Sequence, residues 1–186
     1  MSDKKLTDQH KDALTPKTAN NFGPYIETDP AANDAANQVI SIIMGDLPRS
    51  EDDDAEWGVP KALLDKAGKA LANRYCFAVE DMEGDIAVMI TPTRYFVENG
   101  CCDDQTGPID HLLPRAATMM ESCWEIYEDG IETAADAALH LQKLGFFWNR
   151  DFQNFIDASQ TDDIAKALAP QTVEKPANTG GAKPKF

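Results

Sequence analysis

Apolar residues recur at intervals of three and four along most of this chain, alternate like a strand in its middle, and lose both periods at its ends. The first helical run opens at Thr28-Asp29-Pro30, where a capping side chain precedes a proline suited to the first helical position. A helix to about Met44 follows, with Ala32, Ala36, Val39, Ile40 and Ile43 on one face, and Gly45 and Pro48 stop it. A second helix is predicted from about Val59 to Arg74, with Pro60 near its start and Leu63, Leu64, Ala67 and Leu71 along one side. Tyr75 to Glu80 and Asp85 to Thr91 then read as two strands joined by a turn ending in Glu83-Gly84. Arg94 to Val97, set off by Pro92, reads as a third strand or the start of a loop.

The strongest helical spacing belongs to Ile109, Leu112, Leu113, Ala116, Met119, Met120, Cys123, Trp124 and Tyr127, with Pro114 marking a first turn or a kink. Thr133 caps a further predicted helix that ends at Leu144 before Gly145. Phe146-Phe147-Trp148 leads into a helix from Asn149 to Ala158 with Phe152, Phe155 and Ile156 on one face, and Thr161 caps a last one from Asp162 to Leu168. This order predicts an α+β fold, a small β-hairpin or short antiparallel sheet packed with about five helices. One domain over residues 22–169 accounts for the pattern, flanked by a polar arm at 1–21 and a Pro/Gly/Lys-rich tail at 170–186, both expected to be disordered.

Charge sharpens this picture. Residues 21–169 carry 28 Asp and Glu against 10 Lys and Arg, a balance of −18 that exceeds the −15 of the whole chain, while both ends are basic. Such a surface repels nucleic-acid phosphates and anionic lipid, which argues against direct binding to nucleic acid or membrane and for a basic or apolar partner protein. The stretch Ser50 to Glu56 is an acidic, self-repelling loop, and Trp57 at its end is placed to fold back as an anchor. Lys61, Lys66, Lys69 and Arg74 concentrate positive charge on the second helix, an arrangement suited to docking against acidic neighbours. The N-terminal sequence lacks the apolar run of a signal peptide, and four irregularly placed cysteines do not make a disulfide framework; both point to the cytoplasm.

Candidate chemistry is sparse. Cys101, Cys102, Asp103, Asp104 and His111 are metal-ligating or nucleophilic residue types, yet zinc sites separate paired cysteines by two to four residues so that both sulfurs reach one ion. Asp52-Asp53-Asp54 lacks the alternating ligands and central glycine of a calcium loop. No phosphate-cradling glycine loop, nucleophile elbow or dinucleotide fingerprint occurs. Neither a cofactor nor a metal is implied. His140 falls among alanines and leucines, where a packing role suits it.

Aromatic residues and methionines point instead to recognition. Met119, Met120, Cys123, Trp124 and Tyr127 on one side, and Phe146, Phe147, Trp148, Phe152 and Phe155 on another, are expected mainly to pack inward, as helix-spaced methionines and aromatics usually do, and those that exceed what the core covers would form a partner groove. The leading expectation is an adaptor or chaperone-like module that binds a segment of another protein. Trp124, Tyr127, Phe147 and Trp148 are its expected anchors, and Glu121, Glu125 and Glu128 its negative rim. In size and composition alone the chain resembles bacterial secretion chaperones and coupling adaptors. Two other classes fit the same sequence: an acidic mimic of nucleic acid that inhibits a DNA-binding protein, and an enzyme using Cys101 or Cys102 with His111.

Overall fold

A computed structural model of the chain describes residues 29–101, 109, 112–113, 117–120, 123–126 and 129–169; the proposed arm at 1–21 and tail at 170–186 lie outside them. Helix α1 (Pro30–Ile43) begins as expected, the Asp29 carboxylate accepting from the Ala31 N–H at 3.0 Å with Pro30 in the first turn. The second predicted helix is split. Helix α2 spans only Lys61–Ala67, because Gly68 takes φ +48° and ψ −137°, and a tighter helical turn continues over Gly68–Arg74. Arg74 Nε donates to the Asn37 Oδ1 amide oxygen of α1 at 2.6 Å, not to a carboxylate, and burial lowers its pKa. Trp57 does not fold back. It stands 40% exposed at the tip of a tight turn closed by pairing of Glu56 with Val59.

Strands β1 (Tyr75–Met82) and β2 (Asp85–Pro92) pair antiparallel along their whole length, as the sequence predicts. Arg94 to Val97 is not a strand. It belongs to helix α3 (Thr93–Asn99), where Thr93, Phe96 and Val97 are buried at helical spacing and Arg94 bridges to Glu98 one turn on at 2.8 Å. Arg94 also grips Asp46 just beyond α1, and this hydrogen bond holds the Asp46 carboxyl below the usual range for aspartate.

The long helix expected over 109–127 is also overturned. Its second half forms two short strands, β3 (Ala117–Met120) and β4 (Cys123–Ile126), paired with each other, and β4 pairs with β2 through Ala87–Glu125 and Val88–Trp124. In β4 the apolar spacing also satisfies a period of two, with Trp124 and Ile126 buried and Cys123 and Glu125 half-buried between them. Pairing with a strand more than thirty residues away decides the outcome, and no local window contains it.

The chain continues through α4 (Ala134–Leu144), β5 (Phe147–Trp148), α5 (Arg150–Asp157), one turn at Ala158–Gln160, and α6 (Thr161–Leu168). Helix α4 carries the expected Thr133 cap as a reciprocal box: the Asp136 N–H donates to Thr133 Oγ1 at 3.2 Å, and the Thr133 N–H donates to Asp136 Oδ2 at 3.1 Å. Thr161 does not cap α6; it is the first helical residue, and its hydroxyl donates to Asn154 Oδ1 at 2.6 Å.

The sheet order is β3-β4-β2-β1-β5; the predicted hairpin is its centre, β3 and β4 extend it antiparallel, and the two-residue β5 runs parallel to β1, so the small sheet is mixed and the α+β class stands. Both faces of its centre are covered. Tyr75, Phe77, Val79, Val88, Ile90 and Trp124 pack with residues of α1, α4 and α6 into the main core. Cys76 and Ala78, on the alternate face, meet Phe96 of α3 and Phe152 of α5, whose ring centroids lie 4.8 Å apart. Each fully buried large apolar side chain, such as Phe77 or Leu141, stabilises the fold by about 1.5–3 kcal/mol.

Candidate partner-binding cleft

The sequence between α4 and α5 turns twice within five residues, and this sharp path builds the cleft. Gly145, at φ +101°, ends α4 in a conformation that side chains rarely adopt, and Phe146 then drops into the core at 1% exposure. Phe147 and Trp148 extend beside β1, in register with Cys76 and Phe77. Asn149 at once caps α5, accepting from the Asp151 and Phe152 N–H groups at 2.9 and 3.0 Å. Helix α6 packs back on α4, and between them an open cleft of about 250 Å³ remains. Gln142 of α4, the segment Phe146 to Trp148, and Ala165, Leu168 and Ala169 at the end of α6 line it.

None of these lining residues is charged. Phe147 and Trp148 are both half-buried, but as successive strand residues they face opposite sides of the sheet. Trp148 packs with Leu168 on the main core and Phe147 against Cys76, Ala78, Phe96 and Phe152, so Trp148 is the ring a ligand in the cleft would meet. The Trp148 ring is oriented from behind: its indole N–H points at Gln153 Oε1 at 3.4 Å, and Gln153 is itself completely buried. Around the cleft, charges are largely paired, Arg150 with Asp162 at 3.2 Å and Lys166 with Asp163 at 3.0 Å, the latter bond raising the pKa of Lys166. A second groove of about 410 Å³, beside Asp52 to Asp54, Pro60 and Lys61, holds part of the acid surplus.

Of the residues expected to bind a partner, the structure places Trp148 in the cleft, turns the neighbouring Phe147 side chain to the other face of the sheet, and separates Trp124 from both. Trp124 is 7% exposed in β4, with β2 and β1 between it and β5, a lateral distance of roughly 14 Å. Its indole N–H is buried without a hydrogen-bond partner, which marks a packed side chain. Glu125, half-buried, points to the opposite face of the sheet from Trp124 and so does not rim it. Tyr127, Glu121 and Glu128 lie outside the described residues.

Sequence reasoning missed Gln142, Ala165, Leu168 and Ala169. The available signal was the i, i+3 spacing of Ala165 and Leu168, which puts both on one face of α6. Of the candidate cysteine site, Cys101 is half-buried, while Cys102, Asp103, Asp104 and His111 fall outside the described residues. Among the described residues, no cluster of three His, Cys, Asp or Glu could hold a metal ion, and no helix is long and apolar enough to cross a membrane.

No family model matches the chain, and neither a curated protein nor a solved structure matches it. The functional reading therefore rests on the cleft itself.

Proposed function

We propose that this domain is a cytoplasmic protein-binding module, an adaptor or chaperone-like protein, that receives a short segment of a partner protein in the cleft between α4 and α6. The observation that carries this reading is the meeting of the half-buried Trp148 with Leu168 in one open cleft lined by uncharged residues. Tryptophan is among the residues that most often carry binding energy once a partner desolvates it. The volume suits one or two apolar side chains, each contributing about 1.5–3 kcal/mol when fully buried. Two such side chains give at most about 6 kcal/mol before the cost of ordering the segment, so the affinity from these contacts is on the order of 1 mM.

The preferred segment combines apolar residues with Lys or Arg. The apolar residues enter the cleft, and the positive charges answer the −18 balance of residues 21–169, which raises the encounter rate at low salt more than it raises affinity. The test is calorimetric titration of the full-length protein with a peptide alternating Lys with Leu and Phe, at low and high salt. Binding that weakens only modestly with salt and is lost in L168D supports the reading. Binding that vanishes with salt and ignores L168D supports acidic-surface mimicry instead.

A further inference from the structure

We infer that the cleft takes its segment as an added β-strand on the open edge of β5, so that the partner is recognised in extended form with alternate side chains read on opposite faces of the sheet. This rests on the reading above that the cleft is the partner site. Strand β5 ends the sheet, and among the described residues its one strand neighbour is β1. Three consecutive residues, Phe146 to Trp148, line the cleft, although Phe147 and Trp148 send their rings to opposite faces; what they share is the outer edge of the strand. The cleft therefore opens along backbone as well as side chains.

The direction of that backbone follows from β1. Val79 turns its N–H and carbonyl toward the β5 side, where Gln153 pairs with them at 2.9 and 2.7 Å. Phe77, two residues earlier, faces the same way. In a parallel ladder the residue opposite such a position turns its own polar groups outward, and Phe77 stands opposite Trp148. The Trp148 N–H and carbonyl thus point to the cleft edge, a donor and an acceptor for one residue of an extended chain. A helix satisfies its backbone groups internally and offers them nothing.

Side chains of an added strand alternate between the two faces. Those on one face meet Trp148 and Leu168 in the cleft. Those on the other pass Phe147 toward Phe155, which stands 54% exposed against the Phe96 ring, with the Asp151 carboxylate one helical turn before it on α5. The first face suits apolar side chains, and the second suits Lys or Arg, which gain both an aromatic face and a negative charge. The recognised segment thus alternates apolar with basic residues. Two backbone hydrogen bonds, each worth about fivefold in affinity, tighten the millimolar binding of the side chains to the order of 100 μM.

The test titrates the full-length, isotope-labelled protein with the peptide alternating Lys with Leu and Phe in three forms: unmodified, N-methylated at every Lys, and N-methylated at every Leu and Phe. In a strand the N–H groups of alternate residues point to opposite edges, so one methylated form presents blocked amides to β5 and the other presents them to solvent. Edge pairing predicts that one form loses about tenfold in affinity, together with the shift of the Trp148 backbone amide, while the other binds within about twofold of the unmodified peptide. Equal affinity of the two methylated forms, or a difference between them with the Trp148 amide unmoved, would overturn it. If the two forms are equal but L168D removes binding, edge pairing fails and the partner cleft stands. If they differ tenfold with the Trp148 amide shifted, while L168D leaves affinity unchanged, edge pairing stands and the cleft reading fails. An unmodified peptide that does not bind overturns both.

Discussion

The side-chain amide of Gln153 stands beside Val79 as a strand residue would. Its Oε1 accepts from the Val79 N–H at 2.9 Å, and its Nε2 donates to the Val79 carbonyl at 2.7 Å. Strand β5 pairs with β1 only at Cys76 and Phe77, so without this amide the buried Val79 backbone would face the outside of the sheet with both groups unpaired. Gln153 Nε2 also donates to the Asp157 carbonyl at 2.9 Å, tying the end of α5 to the sheet, while its Oε1 receives the Trp148 indole. One fully buried side chain thus closes the sheet edge and fixes an aromatic wall of the cleft.

Replacing Gln153 with Leu keeps the volume and removes every one of these hydrogen bonds. The Val79 N–H and carbonyl would remain buried and unsatisfied, so Q153L should lose about 2–4 kcal/mol in urea unfolding. A loss within experimental error would show that water or backbone movement replaces the amide.

Trp124 should behave as a core residue and not as a binding anchor. W124A should lose about 3–5 kcal/mol through the cavity it leaves. W124F should lose less than about 1.5 kcal/mol, since it keeps most of the ring and removes an indole N–H that has no partner. Peptide affinity should be unchanged in W124F. A folded W124F that no longer binds would return Trp124 to the site.

Acid should weaken the contact between the end of α1 and α3. Hydrogen bonding to Arg94 lowers the pKa of Asp46, so the ionised carboxylate adds stability above the ordinary aspartate range and loses it as pH falls through the lowered value. The melting temperature of the wild type should exceed that of D46N at about pH 6 and converge on it towards about pH 3. Because Asp46 is solvent-exposed, the difference should be small and reduced by salt. A constant difference across this range would remove the ionic contribution.

The Thr133 cap offers a way to separate stability from binding. T133A breaks the reciprocal box at the far end of α4 from Gln142 and should cost about 1 kcal/mol in denaturant unfolding. Peptide affinity should not change at temperatures where the variant is folded. Parallel loss of both would mean that binding reports global stability alone.

Much of the fold was legible because its signals are local. Asp29-Pro30, Thr133, Gly145 and Asn149 each act within one turn of chain, and each stands at the predicted boundary or within a residue of it. The β1–β2 hairpin was equally readable from its β-branched and aromatic content and its tight turn. The segment 117–126 was not, because its residues fit two periods and the choice falls to pairing with β2. The same remoteness divides the candidate site. Phe147 and Trp148 could be named from sequence, but the wall opposite them comes from Leu168 and Ala169, which only the packing of α6 on α4 brings near. Trp124 looked like their companion because a helix would have presented it on a broad apolar face; as a strand residue it turns into the core.

The most direct measurement is a nuclear magnetic resonance titration of the full-length, isotope-labelled protein with the Lys/Leu/Phe peptide at physiological salt. Binding in the cleft predicts saturable shifts at the Trp148 indole, Gln142, Phe147 and Leu168, with the Trp57 indole and residues 51–56 little changed. Shifts confined to residues 51–56 and other acidic surface positions, with the Trp148 indole unmoved, would contradict it.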